Sequence, residues 1–370
     1  MDHFGRRTNL ARRVARTSVL SREPFVLIDV GCSGGIDDEW RVFEPNLIGV
    51  GFDPNASECA RLQKLEQNAR IRYVAGYVGL PDENALVRAI GGRFWVNSPW
   101  ERLSAAAAAD NRRRIRGYIP PEQVAPGDEY AESDAIVVLP DYCAQHGLER
   151  VDFVKIDTDG PDLLVLSSLE GVFDKLSVLG LTIEVNFFGG EDGSNNTFHN
   201  VDRLMRGAGF ELFDLSTRRY STTALPAPFR SHVPGPTLFG RVVQGDAFYA
   251  RDLGSRATRS TREWTAAEVL KLASLFDLYG LPDCAAEVLV EFREMLADHL
   301  DVGPLLDALV PTVRGKRWRY DEYLARFAGD DRRFYRLSGA RRVAAKLSPA
   351  LRNRLLTNRQ VSALRGRLDR

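Results

Sequence analysis

Five short apolar runs, rich in β-branched residues, punctuate the first half of the chain, at residues 25–30, 47–52, 71–78, 151–156 and 178–185. Near-continuous apolar runs of this length read as strands buried on both faces, as strands of a parallel sheet are. Helix-compatible stretches lie between them at 57–69, 82–90 and 140–146, and an amphipathic helix at 198–208 is closed by Gly209. Strands alternating with helices predict a parallel α/β sheet. Residues 210–215, 220–223 and 237–243, punctuated by Pro226, Pro228, Pro234 and Pro236, predict an antiparallel addition at its end.

Beyond residue 250 the strand pattern stops. A polar, basic stretch at 251–264 reads as a linker, after which Thr265 can cap a helix carrying Val269, Leu270, Leu272, Ala273 and Phe276. Further helices are expected from Asp283 and at 304–309, 320–327 and 347–368. The expected organisation is therefore an N-terminal arm (1–22), an α/β domain (23–250), a linker (251–264) and a helical domain (265–370). Residues 97–135 form a long excursion between the third and fourth strands, the kind of segment that carries substrate loops in open α/β sheets. Trp100 and Tyr118 in it are candidate platforms for a sugar ring or an apolar acceptor.

Composition narrows the function. Lys+Arg and Asp+Glu each total 50 in 370 residues, so no global charge argues for nucleic acid. The charge is unevenly placed: residues 1–22 carry +5, residues 331–370 carry +10, and the body between is acidic. The basic C-terminal helices could meet an anionic membrane surface, a protein partner, a second copy of the chain or the acidic body itself. No apolar stretch reaches the roughly 20 residues of a membrane helix and no signal-peptide pattern is present, so a cytoplasmic protein is expected, with peripheral contact at the inner membrane face as an option. Four scattered cysteines without a CxxC pair argue against disulfides and zinc. The 44 Arg against six Lys suit a GC-rich bacterial genome.

The first strand ends in Gly31-Cys32-Ser33-Gly34-Gly35, a turn through which a ligand can approach the backbone. Asp53 closes the second strand, 24 residues past Asp29, where a carboxylate can accept both ribose hydroxyls of a nucleoside. That spacing suits a nicotinamide dinucleotide or S-adenosylmethionine. The absence of a GxGxxG phosphate turn favours S-adenosylmethionine, which has no phosphate and whose ammonium group Asp29 can meet. Asp29, Gly31, Ser33, Gly35, Asp53 and Asp157 are the candidate cofactor residues.

The most informative segment runs from Val151 to Leu166 through Lys155-Ile156-Asp157-Thr158-Asp159-Gly160. It resembles the FkbM family of S-adenosylmethionine-dependent methyltransferases, whose fourth-strand motif is approximately DFIKIDVEGAE. Asp29-Val30-Gly31 with Gly35, and Phe52-Asp53-Pro54, fall in register with that resemblance, which covers residues 25 to about 243. Asp159 and Asp162 stand where the family usually has Glu, and Glu184 matches an acid the family tends to have on the fifth strand. The resemblance implies a Rossmann-like class I methyltransferase sheet, mostly parallel with an antiparallel terminal addition, here followed by a C-terminal helical extension. It also implies methylation of a hydroxyl on a sugar, glycan, glycolipid or glycosylated natural product.

Lys155, Asp157 and Asp159 alternate, so an extended backbone puts them on one side. Asp157 or Asp159 could take the proton of an attacking hydroxyl, with Lys155 balancing charge. Alternatively a divalent ion such as magnesium, held by Asp157, Asp159 and Glu184, could lower the hydroxyl's pKa. Glu184 and Asn186 share a strand face and are candidate acceptor residues. His199, after the flexible run 189–196, is a candidate general base. Two other readings remain open: a methyltransferase-like scaffold in a glycan-assembly complex, and a nicotinamide-dependent oxidoreductase.

Overall fold

The structure is a computed structural model describing residues 9–79, 133, 135–158, 162–189, 196–220, 240–259, 261–312 and 316–329. Its centre is a seven-stranded sheet built from β1 (Phe25–Val30), β2 (Leu47–Asp53), β3 (Ile71–Ala75), β6 (Phe153–Ile156), β7 (Gly180–Asn186), β8 (Glu211–Tyr220) and β9 (Arg241–Ala250). Their order is β3-β2-β1-β6-β7-β9-β8. The first five are parallel, and β9 runs antiparallel between β7 and β8. This is the Rossmann-like class I methyltransferase sheet: the order reverses beside β1, and the last hairpin is inserted with its strands exchanged.

The sequence reading errs mainly at element edges. The third apolar run divides, because Tyr77–Val78 (β4) leaves the main sheet to pair with Ile136–Val137 (β5) in a separate two-stranded ladder. The terminal addition is one long hairpin of ten-residue strands, rather than the three short pieces expected. The helix expected at 82–90, most of the excursion at 97–135 and the tail at 347–368 lie outside the described residues.

One face of the sheet is covered by α4 (Leu139–Gln145), α5 (Asp162–Ser167) and α6 (Phe198–Gly207), which enclose an aliphatic core of Ile28, Val30, Val50, Ile156, Ile183 and their neighbours. The other carries α1 (Asn9–Val14), α2 (Ser18–Arg22), a 3-10 helix (Asp38–Phe43), α3 (Ala56–Leu65) and α8 (Ala266–Leu278), which follows the short α7 (Arg256–Arg259). Aromatic rings fill this layer: Phe25 stacks on Phe43 at 4.1 Å, and Phe248 stacks on Tyr279 at 3.9 Å.

Residues 9–22 of the basic arm pack on the body of the protein. Leu10, Ala11, Val14, Val19 and Leu20 are buried, and α1 packs on α8. Residues 251–264 do not separate two bodies, since residues up to Leu309 belong to the same compact unit as the sheet.

The reason lies in α8. All thirteen of its residues are buried, and a helix apolar on nearly every side must be enclosed. Its polar residues are each matched. Glu268 and Thr265 close a capping box. Lys271 donates to both oxygens of Asp152 at 2.9 and 3.0 Å, and Asp152 also accepts from the backbone N–H of Val26 at 2.7 Å. Asp277 accepts the N–H groups of Leu10 and Ala11, which fastens the start of α1. Three further helices, α9 (Pro282–Glu291), α10 (Arg293–Ala297) and α11 (Gly303–Leu309), complete this unit. The second unit begins at Val310 and contains α12 (Tyr320–Gly329), where Glu322 pairs with Arg326 one turn later. Among the described residues no helix is long and apolar enough to cross a membrane.

Candidate active site

The parallel strands β1, β2 and β6 end together, and their C-terminal edge collects the residues the sequence singled out. Gly31, Gly34 and Gly35 all have left-handed φ values, +85°, +86° and +97°. Gly31 is needed for a second reason: a Cβ there would lie 1.8 Å from the carbonyl oxygen of Asp157. The close approach joins the glycine turn to the segment after β6, where Asp157 N–H donates to Val30 O at 2.9 Å. Around Gly34, by contrast, an added Cβ would meet nothing within 4 Å.

Asp29 is fully buried on β1 and is paired in register with Lys155 on β6. Lys155 Nζ donates to Asp29 Oδ1 at 2.9 Å and lies 4.0 Å from Asp157. Burial pushes the Asp29 carboxyl up to about 6, against the lowering pull of Lys155. Lys155 itself is held above its ordinary value, the attraction of Asp29 and Asp157 outweighing the opposing effect of burial. Asp29 Oδ2 has no hydrogen-bond partner among the described residues. A buried oxygen left in this state costs about 1–3 kcal/mol, so it calls for an explanation.

Asp53 ends β2 and shapes the next turn. It accepts from Asn55 N–H at 2.8 Å, and the N–H of Ser33 also points to its carboxylate. Burial raises its pKa against those two bonds. Asn55 in turn caps α3 by accepting from Glu58 N–H. Ser33 thus contributes its backbone, and its side chain is exposed. A cleft of about 1000 Å³ opens beside the glycine turn, with Gly34, Gly35, Arg41, Leu62, Glu66 and Tyr73 among its lining residues.

Further along the edge the site is built by β7, β9 and β8. Register sets Glu184 opposite Asp246 and Asn186 opposite Gln244, while Arg218 on β8 also faces Gln244. Glu184 accepts from Arg218 at 2.7 Å and from Gln244 at 2.6 Å, and Arg218 also pairs with Asp246. Burial pushes Glu184 up to about 8, opposed by Arg218 and assisted by the nearby Asp162 and Asp157. Asn186 is almost wholly buried, and neither atom of its amide has a partner among the described residues. Gln244 Oε1 is in the same condition.

Asp162 proves structural. It accepts from the N–H and hydroxyl of Thr158 and from Asn196 Nδ2, bracing the turn after β6, and burial raises it to about 7. His199 is exposed on the first turn of α6, with Nε2 3.4 Å from Thr197 Oγ1. It is not part of the buried row. Asp159, Trp100 and Tyr118 lie outside the described residues. Among the described residues no group of three or more His, Cys, Asp or Glu side chains is placed to hold a metal ion. Both oxygens of Glu184 already accept hydrogen bonds, one from Arg218 and one from Gln244.

Arg218, Gln244 and Asp246 escaped the sequence reading. The polar alternation of Gln244 and Asp246 inside the otherwise apolar run 242–250 is the signal that marks them.

The Methyltransferase FkbM domain matches residues 36–212. No curated protein matches the chain. Solved structures similar to it include magnesium protoporphyrin IX methyltransferase (ChlM) from Synechocystis PCC 6803 with bound SAH, at 9% identity, 65% coverage of this chain, 82% of that chain and TM-score 0.28. The N-terminal domain of EvdMO1 with SAH bound is similar at 10% identity, 67% and 82% coverage and TM-score 0.29. The methyltransferase CalO6 follows at 14% identity, 65% and 64% coverage and TM-score 0.25. Residues 36–212, just under half of the chain, thus match the Methyltransferase FkbM domain, the family that the sequence resembles.

Proposed function

We propose that the protein transfers a methyl group from S-adenosylmethionine to a hydroxyl oxygen of a carbohydrate-containing acceptor. The observation that carries the cofactor part is the unpartnered Oδ2 of fully buried Asp29, beside the glycine turn and on the strand paired with the one that Asp53 ends. Asp29 would hold the ammonium group of the methyl donor, and Asp53, with acceptor capacity left on its carboxylate, its ribose hydroxyls. The backbone of Gly31, Ser33 and Gly35 shapes the wall between them.

When bound, S-adenosylmethionine supplies a sulfonium methyl group whose C–S bond breaks as the O–C bond to the acceptor forms. Asp157 receives the hydroxyl proton, so the oxygen attacks with a free electron pair and carries no charge once methylated. Lys155, fixed by Asp29, orients Asp157 and offsets the charge that the two carboxylates bring together. Asp159 stands in the same role by sequence alternation, with Trp100 and Tyr118 as acceptor platforms. Carbohydrate as acceptor follows from the family resemblance, supported by the hydrogen-bonding row at Glu184 and Asn186.

The test is incubation with S-adenosylmethionine tritiated on its methyl group and the glycan and glycolipid fractions of a bacterial extract. Label should enter an acceptor in a base-stable form, an ether, and Asp157→Asn should lower the rate by about 100-fold or more. Base-labile label would indicate a carboxyl ester and overturn the hydroxyl assignment. Absence of label from both fractions would overturn the carbohydrate assignment.

A further inference from the structure

The row on β7, β9 and β8 reaches past what a methyl donor and a proton acceptor require. Its charged groups are engaged with one another: Arg218 donates to Glu184 and Asp246, and Gln244 gives its Nε2 to Glu184. What remains is neutral. Asn186 Oδ1, Asn186 Nδ2 and Gln244 Oε1 are buried and have no partner among the described residues. Both side chains are more than nine-tenths buried, and they face each other across the β7–β9 ladder. With Glu184 Oε1 accepting, the amide nitrogen of Gln244 is committed to it, and the other atom is left an acceptor. Asn186 offers one donor group and one acceptor whichever way its amide turns.

We propose that Asn186 and Gln244 form a specificity site for the acceptor, one that takes an uncharged pair of neighbouring hydroxyl groups and rejects anionic acceptors. The proposal rests on the methyltransferase reading above. A hydroxyl both donates and accepts, so two of them can satisfy Gln244 Oε1, Asn186 Oδ1 and Asn186 Nδ2 together. A phosphate or carboxylate brings only acceptor oxygens to Gln244 Oε1. It also enters a region where Asp157, Glu184 and Asp246 confront Arg218 and Lys155, and where Arg218 is already engaged by two carboxylates. Protonation of Glu184 would still leave two carboxylates, and no uncommitted cation, in that row. An ammonium group lacks the acceptor that Asn186 Nδ2 needs. Sites with unpaired buried polar groups discriminate strongly, because a ligand lacking the complementary groups leaves them unpaired.

The test uses the full chain saturated with SAH and saturation-transfer NMR with three probes: methyl α-glucoside, glucuronate and glucose 6-phosphate. The neutral glucoside should receive saturation, and the two anions, which keep neighbouring hydroxyls but carry a negative charge into a row whose cations are already paired, should bind at least about tenfold more weakly. Asn186→Leu should abolish the glucoside signal while leaving SAH affinity unchanged and thermal stability equal or higher, since it removes an unpaired amide without creating a cavity. Asn186→Ala gives the same reading should the leucine variant not fold. Equal binding of anionic and neutral probes, or an unchanged glucoside signal in either variant, would overturn the acceptor assignment while SAH binding persists. Failure of the wild-type chain to bind SAH would overturn the methyltransferase reading beneath it.

Discussion

Gly31 and Gly34 have almost the same backbone conformation, φ +85° and +86°, yet opposite surroundings. Replacing either by alanine forces an L-residue into the left-handed region, at about 1–2 kcal/mol. For Gly34→Ala that is the whole cost, because nothing lies within 4 Å of the new Cβ. For Gly31→Ala the Cβ would sit 1.8 Å from Asp157 O and 2.6 Å from Asp157 C. An ordinary carbon–oxygen contact is about 3.3–3.6 Å, so the backbone at the end of β6 must retreat by about 1.5 Å. No side-chain rotation can relieve the clash, since both atoms are main chain. Overpacking adds about 1–3 kcal/mol, for a total of about 2–5 kcal/mol. Urea denaturation of both variants reads the difference. Titration with SAH should show weakened binding in Gly31→Ala, because the retreat moves Lys155 and Asp157 away from Asp29. Equal midpoints for the two variants would refute the claim that the turn and the strand end are locked together at this glycine.

Further expectations concern the buried ion pair and pH. Lys271→Met should cost about 3–5 kcal/mol by leaving the Asp152 carboxylate buried without its cation, whereas Lys271→Met with Asp152→Leu should recover much of that loss; denaturation midpoints of the single and double variants decide it. SAH affinity should fall about tenfold per unit as pH drops below about 6, where Asp29 takes up a proton and can no longer hold an ammonium group; calorimetry across pH 5–8 should show the dependence vanish in Asp29→Asn. Folding has the opposite sign. The raised pKa makes Asp29 favour the protonated fold, so its contribution to stability is greatest below the ordinary carboxylate range and declines as pH rises to about 6. Melting temperatures of wild type and Asp29→Asn over pH 4–7 should converge at the acid end.

The parallel half of the sheet was readable because its strands are continuous apolar runs and its glycine turn and Lys155-Ile156-Asp157 segment are local patterns. Asp29, Lys155 and Asp157 meet because register brings the strand ends to one edge. What depended on distant partners was not readable. Lys271 on an otherwise apolar helix looks like a solvent-facing position, but its partner Asp152 lies 119 residues earlier. Leu10, Ala11 and Val14 are hidden in the sequence by arginines at 12 and 13, and their docking shows in their burial and in the cap that Asp277 places on α1. Arg218 reaches Glu184 and Asp246 through a hairpin whose pairing the four prolines between its strands obscured. Asp162, expected in the family's acidic motif, has its carboxylate drawn into the turn by Thr158 and Asn196.

The most direct test of the account is calorimetric titration of the full chain with S-adenosylmethionine and, separately, with NAD, repeated on Asp29→Asn and Asp53→Ala. Micromolar binding of the methyl donor alone, weakened in both variants, is the predicted result. Binding of NAD in its place, or affinity for S-adenosylmethionine untouched by either substitution, would contradict the assignment of this strand edge as the methyl-donor site.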